Sequence, residues 1–338
     1  MKMNNEAIPV VSDELLDNEI TVTSDSENEL LDDSIKTRAD GETEVLKSSD
    51  ENFVKLPLGR ALTLAETYPL TASSDVKIIV LLGPTSCGKT TLETTIYQMF
   101  QMGSLGDYYF AGSETLVAYE QRAFATRTIS NSSDPMTPRT VRGASDIFLH
   151  LKLWHTKNNK MQNFLFADLA GEELKDKIAD VNAMKKDFWF IKHADYIISV
   201  LDGELLIDSN ERLGVVEDAK LLLRTICDAN LYKSNTKFQL IISKHDLILK
   251  AKEDDMKIEE FINIQKNFIQ KNLKRNLDFF DIAAMPIENK YCDIGHGIEN
   301  LFNSWNCTDA KQFDCGIHNQ IVNSEINKLR YKLLGDQL

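Results

Sequence analysis

The 338-residue chain carries 38 Lys and Arg against 52 Asp and Glu, for a formal net charge of −14. The charge is concentrated: residues 1–52 hold four basic groups against fifteen acidic ones, a net of −11, and the remainder of the chain carries −3. That distribution argues against a basic nucleic-acid footprint, and the longest apolar run, about six residues, falls far short of the ~20 that span a bilayer.

Residues 1–52 mix Asp, Glu, Ser, Thr and Asn with isolated Leu, Ile and Val and contain no aromatic residue. Such a stretch cannot bury enough apolar area to offset backbone entropy, so a disordered acidic tail is expected there. Its Leu15, Leu16, Leu30 and Leu31 are the residues that would dock on a partner. The first residues are acidic without an apolar stretch, which does not read as a secretory signal, and Lys2 excludes myristoylation. Five cysteines without a CxxC pair suit a reduced, cytoplasmic protein.

Residues 53–75 read as a segment that precedes a domain of residues 76–338 and packs on it. Within that domain, short β-rich runs alternate with stretches of helical period. The predicted strands are Val76–Leu82, Asp146–Leu153, Asn163–Asp168, Asp195–Leu201, Phe238–Ser243 and Ala284–Ile287. The predicted helices are Lys89–Met102, Asn210–Ile226 capped by Ser209 or Asn210, Glu253–Leu273 and Gln320–Leu334. Apolar strands alternating with helices indicate an α/β fold of three layers, with a mostly parallel sheet covered on both faces. Residues 155–162 read as a hairpin turn, which adds one antiparallel strand at the sheet edge. Residues 103–145 form an unusually long connection.

The strongest motif is Gly83-Pro84-Thr85-Ser86-Cys87-Gly88-Lys89-Thr90, which fits GxxxxGK[ST] and lies between a predicted strand and a predicted helix. Gly83 and Gly88 let the backbone turn its N–H groups inward around phosphate, and the helix N-terminus adds partial positive charge. Thr85, Ser86, Cys87 and Thr91 complete the phosphate-binding run, Lys89 reaches the β and γ phosphates, and Thr90 ligates Mg²⁺. Cys87 reads as a small residue filling the loop, with a redox switch the alternative at a helix N-terminus, where thiol pKa values tend to fall.

Two further sites follow strands. Asp168-Leu-Ala-Gly171 places an acid at a strand end with a glycine three residues on, suiting a Mg²⁺-bound water and a γ-phosphate contact from the Gly171 N–H. Ser243-Lys244-His245-Asp246 puts a carboxylate where one acid can accept the paired N1–H and amine donors of guanine, with the Lys244 stem along the base. Downstream, Pro286–Lys290 resembles the last loop of GTPases, which implies that a backbone N–H near Asn289 would meet the guanine oxygen.

These sites stand in the order of the TRAFAC class of P-loop GTPases. In Lys77–Thr91, Tyr109–Leu116, Tyr119–Arg122, Pro135–Thr140 and Asp168–Glu172, the chain resembles the bacterial double-GTPase family found in conflict and defence clusters. Leu56–Glu66 is similar to the segment before the phosphate loop in that family, and the resemblance spans roughly residues 55–310. It implies a P-loop NTPase fold, GTP and GDP as substrate and product, Mg²⁺ as cofactor, and slow hydrolysis used as a switch. In the long connection, taken as switch I, Thr140 (or Thr137) is the Mg²⁺-binding threonine. Arg139 is the candidate for neutralising transition-state charge in cis; Arg122, Arg127 and Arg142 read rather as surface ion pairs. Glu172 follows Gly171 where many GTPases carry Gln, and orients water or points to solvent.

Two other readings stand beside this one: a nucleotide-binding interaction protein with negligible turnover, and a P-loop ATPase in which the Ser243–Asp246 match is accidental. An unidentified protein effector is implied, and two copies meeting across the nucleotide would supply an arginine in trans. Cys292, His296, Cys307, Cys315 and His318 lack zinc-ligand spacing, and His150 and His155 read as structural. Because the acidic stretch has no part in these motifs, deleting residues 1–52 should leave GTP affinity within a few-fold, measured by titrating a fluorescent analogue. A larger loss would put those residues in the site.

Overall fold

A computed structural model of the chain describes residues 57–124, 146–273 and 275–305. The strand β1 (Leu62–Thr63) is followed by α1 (Tyr68–Ser73), β2 (Val76–Leu82) and α2 (Lys89–Met102). Then come β3 (Tyr108–Gly112), α3 (Leu116–Phe124), β4 (Asp146–His155) and β5 (Lys160–Asp168). The helices α4 (Gly171–Lys177) and α5 (Val181–Asp187) lead to β6 (Tyr196–Leu201), α6 (Gly203–Ile207) and α7 (Arg212–Asp228). The described chain closes with β7 (Lys237–Ile242), α8 (His245–Asp254), α9 (Lys257–Leu273), β8 (Leu277–Asp281) and α10 (Ile298–Ser304).

These strands make one sheet in the order β1-β4-β5-β2-β6-β7-β8, with β3 also on β4. The five strands from β5 to β8 run parallel, and β4 runs antiparallel to β5 across the turn at residues 156–159. The antiparallel strand therefore sits near the edge, and β1 and β3 each cover part of its outer side. Tyr109 and Phe110 of β3 are exposed on that rim.

Alternation along the central strands sends their side chains to two cores. Val80, Leu82, Ile197 and Leu240 face a cluster completed by Leu174, Val216, Leu223 and Ile262 from α4, α7 and α9. Ile79, Leu81, Ile198 and Ile241 face the other cluster, with Leu92, Ile96, Tyr119, Phe302 and Trp305. Strands buried on both faces need apolar residues at every position, and this is why they read as unbroken runs. Three layers result.

Three expected elements differ. The last strand is Leu277–Asp281, not Ala284–Ile287. As the sheet's other edge it is only half-buried and tolerates Asp278 and Asp281, which hid it. The single helix expected over Glu253–Leu273 is two helices, broken at Asp255, whose carboxylate accepts the Lys257 N–H at 2.9 Å. The acidic run thus ends one helix and starts the next. The helix expected from Asn210 begins at Arg212, because Asp208 holds the preceding turn by accepting the Asn210 N–H at 2.8 Å. The connection after α2 contains β3 and α3, so it is structured as far as Phe124. The predicted helix Gln320–Leu334 lies outside the described residues.

Trp305 locks α10 to the sheet. It is fully buried, its indole N–H donates to Gln239 Oε1 at 2.9 Å, and its carbonyl accepts the Tyr196 hydroxyl at 2.9 Å. Trp305→Ala should lower unfolding free energy by about 3–5 kcal/mol, through the lost contacts and the stranded Gln239 acceptor. Urea denaturation followed by circular dichroism measures this; a change below ~1 kcal/mol would refute the role.

Candidate functional site

Every parallel strand delivers its following loop to the same end of the sheet. β2 leads into Gly83–Gly88, β5 into Asp168–Gly171, β6 into Asp202 and β7 into Ser243–Asp246. Open α/β sheets bind ligands at such strand ends. The parallel register sets Leu81 opposite Asp168, so the acid stands directly beside the phosphate loop.

The loop itself needs unusual backbone. Gly88 caps α2 at φ +94°, and Ser86 takes φ +65°. Lys89 is buried and folds back over the loop, its ammonium donating to the Gly83 and Pro84 carbonyls at 2.9 Å each. Cys87 is fully buried, and a Cβ on Gly83 would lie 2.9 Å from its sulfur. Burial pushes the Cys87 thiol up, outweighing the neighbouring Lys89 charge. The lowered pKa that a helix N-terminus would give is therefore absent, and the loop-filling role stands. Thr85 is half-buried, Ser86 exposed and Thr91 half-buried on the first turn of α2.

Asp168 is fully buried, and the Thr90 hydroxyl lies 3.2 Å and 3.4 Å from its two oxygens. Both are hard oxygen donors of the kind Mg²⁺ takes, and Mg²⁺ completes its shell with water and phosphate oxygens, not with a full protein cage. These residues fit the cation. Gly171 packs against the loop so closely that a Cβ there would lie 2.3 Å from the Thr85 nitrogen. Only glycine fits. Glu172, one residue on, is exposed. Thr140, Thr137 and Arg139 lie outside the described residues, as do Cys307, Cys315 and His318.

Past the end of β7, Asp246 is 4% exposed and its Oδ2 accepts the Ile287 N–H at 3.1 Å, tying together two distant segments, α8 and the loop after β8. Asn289 lies exposed in the second of these, which is held outside by the exposed pairs Lys250–Glu288 and Lys290–Glu253. Lys244 adopts left-handed φ (+51°) and its ammonium meets Asp202 at 2.9 Å and Glu204 at 2.8 Å. Burial works to lower the Lys244 pKa, but Glu204 and then Asp202 raise it overall. The Ser243 hydroxyl donates to the Leu201 carbonyl at 3.1 Å, so its bond runs to β6. His245 and His296 stack with ring centroids 5.9 Å apart. His150 is buried with both nitrogens engaged, by the Glu114 N–H and by Asn163, as a structural histidine should be.

Asp202 and Glu93 enter as residues that the sequence reading passed over, and Arg122 takes a place other than the surface pair expected of it. Asp202 follows the apolar strand β6 and caps α6, its side chain accepting the Glu204 N–H, with Gly203 one residue on where Asp168 has its glycine three on. Arg122 on α3 brings its Nε to 3.8 Å from Asp168 Oδ2, inward and not into a surface pair. Glu93, one turn beyond Thr90, is 0% exposed and neither carboxyl oxygen has a hydrogen-bond partner. Its spacing from Lys89 and Ile96, on the apolar stripe of α2, was the available signal. Burial first, then the Asp168 charge, push the Glu93 carboxyl well above the ordinary range; Arg122 and Lys89 pull the other way.

Strand, glycine loop, helix and the two acid-bearing strand ends together define a P-loop nucleotide-binding domain of GTPase layout. The Double-GTPase 2 family profile (DO-GTPase2) matches residues 77–306, and the chain belongs to that family. Among solved structures, a bacterial selenocysteine-specific elongation factor, EF-Sec, matches at 14% identity with a TM-score of 0.35. That match covers 68% of this chain and 28% of the other, so the chain spans little more than a quarter of that protein's length. No curated protein matches the sequence. No described helix is long and apolar enough to cross a membrane.

Glu93 binds its proton more tightly folded than unfolded, so wild-type stability falls as pH rises from below 4.5, its ordinary value, through the raised one. Glu93→Gln is uncharged throughout and escapes that loss. Its urea midpoint should match the wild type near pH 4 and exceed it at neutral pH; a pH-independent difference would rule this out.

Proposed function

We propose that the protein binds guanine nucleotide and hydrolyses GTP to GDP and phosphate in a Mg²⁺-dependent reaction that serves as a molecular switch. The observation that carries this reading is Asp246. It is a buried carboxylate in the first turn of α8, just after β7, at the same sheet end as Lys89 and Asp168, with a second oxygen to offer beyond the Ile287 bond. Guanine presents two adjacent donors to one carboxylate, whereas adenine presents no such pair, which favours GTP over the ATPase reading. The Lys244 stem forms a wall for the base, with its charge held aside by Asp202 and Glu204. A backbone N–H near Asn289 meets the guanine oxygen.

On the phosphate side, the inward N–H groups of Gly83 to Gly88 and the α2 N-terminus bind the phosphate oxygens, and Lys89 exchanges its two loop carbonyls for the β and γ phosphates. Thr90 and Asp168 would hold Mg²⁺, with Thr140 as the further ligand, and the charge neutralisation on the phosphates would come from the ion they hold. Gly171 offers its N–H to the γ-phosphate. Arg139 neutralises charge as the bond to the leaving phosphate breaks, and Glu172 orients the attacking water. Glu172 is exposed, which favours slow intrinsic turnover and gives weight to the second reading, a nucleotide-binding interaction protein. Multiple-turnover phosphate release separates the two. A cytoplasmic setting, a protein effector and a role in bacterial defence or conflict systems complete the proposal, the last on family analogy alone.

Asp246→Asn provides the test. The variant keeps an oxygen for the Ile287 N–H, so the loop tie survives, but it loses the charge and the second acceptor facing the base. GTP affinity should fall about 10- to 100-fold with ATP affinity unchanged, the range for hydrogen bonds to a charged group. Competition binding measures it, with Lys89→Ala as the phosphate-side control that loses both nucleotides. Intact GTP preference in Asp246→Asn would overturn the base-reading assignment.

A further inference from the structure

Glu93 has no place in the mechanism above, yet a fully buried carboxyl with both oxygens unpartnered is costly and needs a reason. The charged groups around it are Asp168, Arg122 and Lys89. Lys89 is already committed to the Gly83 and Pro84 carbonyls. Arg122 is not committed in that way. Its Nε stands 3.8 Å from Asp168, a charge contact too long for a hydrogen bond, and its only described side-chain hydrogen bond is a long one, 3.4 Å, to Ala118 of its own helix. A guanidinium has five N–H donors, so most of its capacity is unspent.

We propose that Arg122 is a positioning residue shared between two buried acids. It balances Asp168 in the arrangement described, and it passes to Glu93 when a divalent cation takes the Asp168 carboxylate. A guanidinium and Mg²⁺ on the same carboxylate repel, and the Glu93 oxygens, without a partner among the described residues, are buried acceptors on the neighbouring helix that the Arg122 charge already acts on. Glu93 receives the guanidinium as a carboxylate, with two charged acceptors where the amide of a glutamine offers one neutral oxygen. Arg122 sits on α3, whose Ala118, Tyr119 and Ala123 pack in the same core as α2, and α3 leads straight into residues 125–145. The exchange therefore transmits cation loading to α3. The inference rests on nucleotide and Mg²⁺ binding at this site.

The experiment titrates Mg²⁺ into the full chain loaded with a fluorescent GDP analogue, in wild type, Glu93→Gln, Arg122→Gln and the double variant. Glu93→Gln should raise the half-saturating Mg²⁺ concentration about tenfold, within the usual range of coupling between sites, with Mg²⁺-free nucleotide affinity unchanged. In the Arg122→Gln background the same change should do nothing, because no guanidinium is left to rehouse. Glu93→Asp, with its acceptor one methylene short, should fall between wild type and Glu93→Gln and guards against a folding defect. Hydrogen exchange should show Mg²⁺ altering protection of α3 in wild type and not in Arg122→Gln. An unchanged half-saturation in Glu93→Gln, or an equal shift in both backgrounds, overturns the exchange while leaving nucleotide binding standing. Absence of nucleotide binding by the wild type overturns the reading beneath it.

Discussion

The parallel pairing of β2 with β5 is the constraint from which the site follows. With Leu81 opposite Asp168, the two strands end within a residue or two of each other, and a glycine loop and an acidic loop must share one small volume. Gly171 then has to lie against the backbone of Thr85, where any side chain would collide. The Thr90 hydroxyl has to meet Asp168. A one-residue slip would turn Asp168 to the opposite face, and the apolar residues of both strands would change cores with it. Packing of two hydrophobic layers thereby fixes a polar geometry at the strand ends.

Charge around these strand ends is arranged unevenly. Lys89 is satisfied by carbonyls of its own loop, while Asp168 meets Arg122 among the described residues and Glu93 lies buried on α2. Beyond β6 and β7 the pattern is reversed, with Lys244 saturated by Asp202 and Glu204 and Asp246 tied to a backbone N–H. Three acids there face one lysine, and each has a described partner.

Much of this was legible in the chain. β2 and α2 fall where their patterns put them, to the residue, because a doubly buried strand and a helix opened by Gly88 both leave unambiguous signatures. Hydrophobic pattern served less well at the margins. β8 is an edge strand and carries acids, β1 is two residues long, and β3 is stabilised by pairing to β4, not by an apolar run of its own. Motif residues such as Lys89, Asp168 and Asp246 were readable because their spacing is tied to backbone geometry. Arg122 and Glu93 were not, since their importance comes from meeting Asp168 across elements far apart in sequence. A buried acid on an apolar helix stripe is nevertheless a detectable anomaly, and Glu93 is one.

The tie between Asp246 and Ile287 has a kinetic side. Besides that hydrogen bond and the backbone pairing of Ala283 with His296 at its base, the loop is held on the outside by the Tyr291 hydroxyl on Glu253 and by Lys250–Glu288 and Lys290–Glu253, both exposed. Exposed ion pairs weaken as salt rises, whereas the packed strands beneath are indifferent to it. Opening this loop is therefore among the least costly motions at this end of the sheet, a local event far short of unfolding. A molecule seated there would leave at the loop's opening rate, and its residence time would shorten with ionic strength even where its equilibrium contacts scarcely change.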